Sequence, residues 1–173
     1  MKFTRVATLC FAALMIFTVL SGCTAATAYQ KSIYNDDSKI VKQADSFNSK
    51  TRIGNTTDKE SSVKFGTFYG METIWFVESE GNGTITFQYS SKVDKRKFKC
   101  VLITPKDKVI DVFEQSGEGE KSLDIPEGKN RIKIIGNNAS GEIKLEIAAD
   151  GDCVVKNVEL NNFGSIYQKA FQQ

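Results

Sequence analysis

The chain has 173 residues, 40% hydrophobic, 25% charged and 10% aromatic, with 13 Gly and 2 Pro, which excludes collagen-like, wholly disordered and multi-span membrane classes. The formal charge is +2, supplied by Lys2 and Arg5; beyond residue 22 acids and bases balance, so the basic footprint of a nucleic-acid partner is missing. Histidine is absent, which excludes Ser-His-Asp and Cys-His nucleophiles and histidine metal sites.

Lys2 and Arg5 open the chain, and Val6 to Leu20 is a mostly apolar run. At roughly 15 residues it suits the hydrophobic region of a signal peptide and falls short of the about 20 that cross a bilayer as a helix. The run closes on Leu20-Ser21-Gly22-Cys23, which resembles the lipobox of bacterial lipoproteins: an aliphatic residue, two small residues and a cysteine. The resemblance implies that residues 1–22 are a lipoprotein signal peptide and that Cys23 becomes the lipidated first residue of the mature chain. Two or three acyl chains, at about 0.8 kcal/mol per buried methylene, then hold it on the extracytoplasmic side of the cell membrane. An ordinary signal peptide cleaved between Ala25 and Ala28 is the alternative.

Residues 24 to 60 are rich in Ser, Thr, Asn, Asp and Lys and lack strand-length apolar runs. With Cys23 they read as a flexible polar tether over 23–60, with an r.m.s. reach of about 33 Å. One exception is Asp37 to Phe47, where Ile40, Ala44 and Phe47 recur at helical spacing behind Asp36 and Asp37 as caps.

From Ser61 the period becomes two. Val63, Phe65, Thr67 and Tyr69 alternate with Lys64, Gly66 and Phe68, and Ile74 and Phe76 alternate with Trp75 and Val77. Ile85, Phe87 and Tyr89 alternate with Thr84, Thr86 and Gln88; further runs follow at 98–102, 109–113, 123–125, 132–134 and 143–147, with 153–160 as a last candidate. Turn signals separate them at Gly81-Asn82-Gly83, Pro105-Lys106-Asp107, Gly117-Glu118-Gly119, Pro126-Glu127-Gly128 and Gly136 to Gly141. Short strands at such intervals predict an all-β, antiparallel β-sandwich over 61–160, with a tail at 161–173. A chain starting at Ser61 is expected to fold alone.

The segments Phe98 to Ile110, Pro126 to Ile134 and Ser140 to Leu145 resemble the strand, turn and closing hairpin of small bacterial jelly-roll domains. Prepeptidase C-terminal domains and some carbohydrate-binding modules show this layout, which implies a jelly-roll-like sandwich. Thr104 and Lys106 flank Pro105 where those domains carry paired aspartates, so no calcium or ligand site is carried over.

Cys100 and Cys153 either form a disulfide, worth about 4 kcal/mol on the entropic account, or are two separate buried thiols. Glu78 with Glu80, and Asp150 with Asp152, are paired carboxylates of the kind that serve hydrolysis or calcium binding, or simply solvated strand ends. Trp75, with Tyr69 and Tyr89, is a candidate sugar-stacking platform; the preferred reading makes Trp75 core. Lys92, Lys95, Arg96, Lys97 and Lys99 form the densest basic stretch, a solvated face or a contact to anionic headgroups. The sequence leads to a lipid-anchored, non-catalytic binding or accessory surface protein without cofactor or metal. Its expected partners are the membrane, through the lipid, and an envelope protein or polysaccharide, with no nucleic acid. The alternative is a polysaccharide-binding sandwich that uses an aromatic face.

Overall fold

The computed structural model describes residues 25–94 and 97–158. The expected signal peptide, Cys23, Lys95, Arg96 and the 161–173 tail lie outside the described residues. A helical segment comes first: α1 (Ala28–Ser32), a 3-10 turn (Ile33–Asn35) and α2 (Asp37–Ile40). Seven strands follow: β1 (Ser46–Asn48), β2 (Thr51–Thr56), β3 (Glu60–Val93), β4 (Lys97–Ile103), β5 (Val109–Glu114), β6 (Gly117–Ile125) and β7 (Gly128–Asn157). All their pairings are antiparallel.

β3 and β7 run for 34 and 30 residues and bend, so that each serves two layers. In the first layer, residues 141–151 of β7 lie between 60–65 and 83–93 of β3, with β2 and β6 on the outer edges. In the second layer, 69–79 of β3 pair with 128–137 of β7, followed by β4 and β5. β1 and residues 153–157 of β7 share the other side of 69–79. The bends lie side by side. Thr67, at φ 55°, donates its backbone N–H to Ser140 Oγ at 3.0 Å. Next to Ser140, Gly141 has φ +150°, and a Cβ there would sit 2.1 Å from the Lys92 carbonyl oxygen. Only glycine allows that approach.

The layers meet over an apolar core. Val63, Phe65, Ile85, Phe87, Ile143 and Leu145 of the first layer face Ile74, Phe98, Cys100, Leu102, Ile132 and Ile134 of the second. Phe65 stacks on Phe98 with centroids 4.9 Å apart, and Tyr89 on Phe113 at 4.6 Å. Arg52 and Glu72 join the layers at the rim, with Nη2 to Oε1 at 2.6 Å and Nε to Oε2 at 2.9 Å. The fold is the expected all-β antiparallel sandwich.

The tether expected over 23–60 is corrected by residues 28–56, which form part of the domain. On the far side of the second layer Met71, Val101, Ile103 and Ile135 form a second apolar cluster, covered by Ile33, Tyr34 and Ile40. These covering residues are too sparse to stand out in a polar stretch, yet they fill a third layer. α1 starts at a capping box: Thr27 Oγ1 accepts the Gln30 N–H at 3.1 Å, and Gln30 Oε1 accepts the Thr27 N–H at 3.0 Å. The helix expected from Asp37 stops at Ile40, and Phe47 enters β1 to pack on Phe68.

Polar contacts fix this cover. Lys133, fully buried, donates to the Lys42 carbonyl at 2.7 Å and pairs with Asp45 at 3.1 Å. Asp45 also accepts the Thr73 N–H and hydroxyl at 2.8 and 2.7 Å. Arg131 donates to the Val41 carbonyl at 2.9 Å and to Asp107 at 3.1 Å. Burial pushes the Lys133 ammonium below the usual lysine value, while Asp45 pulls it back up.

Two outcomes are expected. A chain beginning at Ser61 loses β1, β2 and the cover over Met71, Val101, Ile103 and Ile135, so it unfolds at lower urea than residues 24–173 and self-associates. Lys133→Ala leaves Asp45 without its cation and costs about 3–5 kcal/mol in urea denaturation, the scale for breaking a buried pair.

Candidate binding face

Both faces of the second layer are covered, one by the core and one by the helical segment. The first layer has a core face and an open one. Because Ile85, Phe87, Ile143 and Leu145 point inward, alternation turns Thr86, Gln88, Ser90, Glu142, Lys144 and Glu146 outward. The register then aligns outward residues in rows across the strands. One row runs Glu120, Gln88, Glu146, Glu60; the next runs Glu118, Ser90, Lys144, Ser62.

Neighbouring side chains in these rows are hydrogen-bonded. The Thr86 and Ser122 hydroxyls lie 2.9 Å apart, Gln88 Nε2 donates to Glu120 Oε2 at 3.4 Å, and Ser90 Oγ donates to Glu118 Oε1 at 3.2 Å. Two shallow depressions, about 370 and 290 Å³, share Gln88 and Glu146 and so form one groove across the face. Lys144 lines one and Lys59 the other. Glu146 stands directly opposite Glu60, a like-charge placement that works against the sheet. The groove thus offers carboxylate acceptors, an amide that donates and accepts, hydroxyls and ammonium donors. That set matches a ligand rich in hydroxyl groups. A larger open cleft, about 650 Å³, lies at one end of the sandwich between Asn82, Thr84, Lys106, Lys108, Asp124 and Pro126.

Trp75 is core, as the preferred reading has it, and the alternative aromatic platform is not assembled. Trp75 has no exposed surface, and its Nε1 donates to the Thr57 carbonyl at 2.6 Å, which makes it core. Tyr89 is half-buried against Phe113 in the first layer; Tyr69 sits in the second, with Lys31 Nζ 5.8 Å from its ring centroid. A register shift between Thr73 and Trp75 breaks the alternation that would have turned Trp75 outward.

Cys100 and Cys153 are free thiols, not a bridge. Cys100 lies in β4 opposite Ile134 and Phe113, whereas β7 carries Cys153 on to a place opposite Ser79. Burial pushes the Cys100 thiol far up, which leaves it inert. The carboxylate pairs do not converge. Glu78 is held below the usual carboxylate range by Lys156 at 2.6 Å, Glu80 is exposed, and Asp150 accepts the Gly151 N–H at 2.8 Å. Among the described residues no three Cys, Asp or Glu side chains group as metal ligands. Of the basic stretch, Lys97 and Lys99 lie 5.5 and 5.3 Å from the Tyr34 ring centroid, Lys92 is exposed, and Lys95 and Arg96 lie outside the described residues. Sequence reasoning missed Gln88, Glu120 and Glu146 as a set. Alternation places each one outward, but only the register brings three strands into one row.

No family model matches the chain, and no curated protein matches it. It is partly similar to a solved exo-β-1,3-galactanase of Phanerochaete chrysosporium, at 15% identity over 61% of this chain and 28% of that one, TM-score 0.38. A family 35 carbohydrate binding module from an environmental isolate matches at 14% identity over 65% of this chain and 81% of that one, TM-score 0.30. An oxalate oxidase matches at 15% identity over 89% of this chain and 78% of that one, TM-score 0.34. The chain spans about 28% of the length of the galactanase. Likenesses this low, to proteins with such different roles, carry no argument about function.

Proposed function

We propose that this chain is a non-catalytic surface protein, lipid-anchored through Cys23 on the extracytoplasmic side, that binds a polysaccharide along the open polar face. One observation carries the reading: one sheet face of the sandwich is left bare, and it is grooved along Gln88 and Glu146. Sugar hydroxyls pair with carboxylates and amides in the way water does, so each contact nets only about 0.5–1.5 kcal/mol. A shallow groove that crosses several strands gains by repeating such contacts along a polymer. Glu120 and Glu146 stand exposed on an open sheet face, whereas the carboxylates of glycoside hydrolases flank the scissile bond from opposite sides. The sheet itself replaces the aromatic face as the recognition surface.

Polysaccharide binding is read by affinity electrophoresis in gels that contain cell-wall polysaccharide. Gln88→Ala combined with Glu146→Ala is expected to weaken retention about tenfold, the equivalent of roughly 1.4 kcal/mol. Far-UV circular dichroism should not change, because both side chains are exposed. Unaltered retention of the double variant, or no retardation of the wild type in any such gel, sinks the reading. Anchoring is tested separately. Cys23→Ala should abolish metabolic labelling by a fatty-acid analogue and accumulate the unprocessed precursor, and persistent label would place the lipid elsewhere.

A further inference from the structure

Given the lipid anchor at Cys23, on which this rests, we infer that the face bearing α1 and α2 lies directly against the bilayer and that the grooved face points away from it. The leash is short. Cys23 and Ala28 are five residues apart, and five extended residues span at most about 18 Å. A domain that began at Ser61 would have had a far longer reach; here α1 begins five residues after Cys23.

Position within the sandwich then sets orientation. α1, the 3-10 turn and α2 cover the outer side of the second layer, and the groove lies on the outer side of the first. These are opposite sides of one stack. The side that emerges first from the anchor is the side that meets the headgroups.

The surface chemistry of that side suits an anionic lipid surface. Tyr29 is 42% exposed, with Lys39 Nζ 5.9 Å from its ring centroid. Lys31, Lys42 and Lys97 have no carboxylate partner among the described residues. Two acids there have a lysine partner: Asp36 is held by Lys39 at 2.8 Å, and Asp111 lies 3.9 Å from Lys99. Asp37 and Glu114 are exposed carboxylates, Glu114 also accepting the Tyr34 hydroxyl at 2.5 Å, so lysines outnumber free carboxylates only narrowly. Exposed tyrosine and lysine side chains keep their polar tips at the headgroups and their stems below.

The test uses the full lipidated chain in vesicles of phosphatidylglycerol and phosphatidylcholine that contain a headgroup-spin-labelled lipid. A fluorophore is placed on Lys31→Cys or on Ser62→Cys, an exposed residue of the grooved face, each combined with Cys153→Ser. Quenching severalfold stronger at position 31 than at 62 is expected. Equal quenching at both, or none at either while the protein floats with the vesicles, overturns the orientation. Failure to float, with no acyl chain on Cys23 by mass spectrometry, overturns the anchor itself and the orientation with it.

Discussion

A strand that is apolar on both faces must be covered twice. β4 is such a strand: Phe98, Cys100 and Leu102 face the inter-layer core, while Val101 and Ile103 face the other way. Ile135, on the neighbouring β7, and Met71, opposite it on β3, extend that second apolar strip. Left bare, the strip would be an exposed hydrophobic patch of the kind that associates or aggregates. The helical segment resolves this with three side chains, Ile33, Tyr34 and Ile40. Everything that distinguishes the two sides of the molecule follows, because only the opposite layer keeps a free polar face.

That asymmetry is set by the two long strands. β3 and β7 each pass through both layers, so a single chain segment carries one alternation pattern in the first layer and another in the second. In residues 141–147 every second side chain is polar and exposed; in 130–136 every side chain is buried. The change occurs at the paired bends, where Gly141 and Thr67 take up backbone conformations that end the regular pleat. Without the bends, the alternating half would have no partner layer and the continuous half no core.

Much of this was legible in the sequence. Period-two alternation located strand-forming stretches, and the turn at Pro105 is present, with the Asp107 N–H donating to the Thr104 carbonyl at 3.0 Å and the Lys108 N–H to Thr104 Oγ1 at 3.1 Å. The turns expected at Gly81-Asn82-Gly83, Gly117-Glu118-Gly119 and Gly136 to Gly141 instead lie within β3, β6 and β7. Cys100 shares the parity of Phe98 and Leu102 within the run 98–102, and all three face the core. The rest depended on what a local pattern does not contain. Residues 28–56 look polar because only a few of their side chains do the covering, although the unbroken apolar run from Cys100 to Ile103 already demanded a cover on both faces. The bulge before Trp75 shifts the parity on which a platform depended. The separation of Cys153 from Cys100 and the row through Glu120, Gln88 and Glu146 are facts of register, and register is fixed between strands distant in sequence.

The way the cover is fastened fixes where the helical segment sits on the second layer. Lys133 and Arg131 grip the backbone carbonyls of Lys42 and Val41, and Asp45 reaches the backbone N–H of Thr73. Contacts to backbone hold a chain at a fixed position and in one direction, which greasy packing alone does not do. A buried cation is costly to desolvate and is weak evidence of stability; its effect here is to specify where residues 41–45 sit. An apolar substitute could keep the second cluster closed but would let the segment slide along it. On the proposed reading that Cys23 carries the lipid, such sliding would turn the sandwich relative to the membrane, because α1 starts five residues after Cys23. The lock at Lys133 therefore fixes the direction of the helical segment relative to the direction in which the polar face looks, which is what the proposed orientation at a membrane requires.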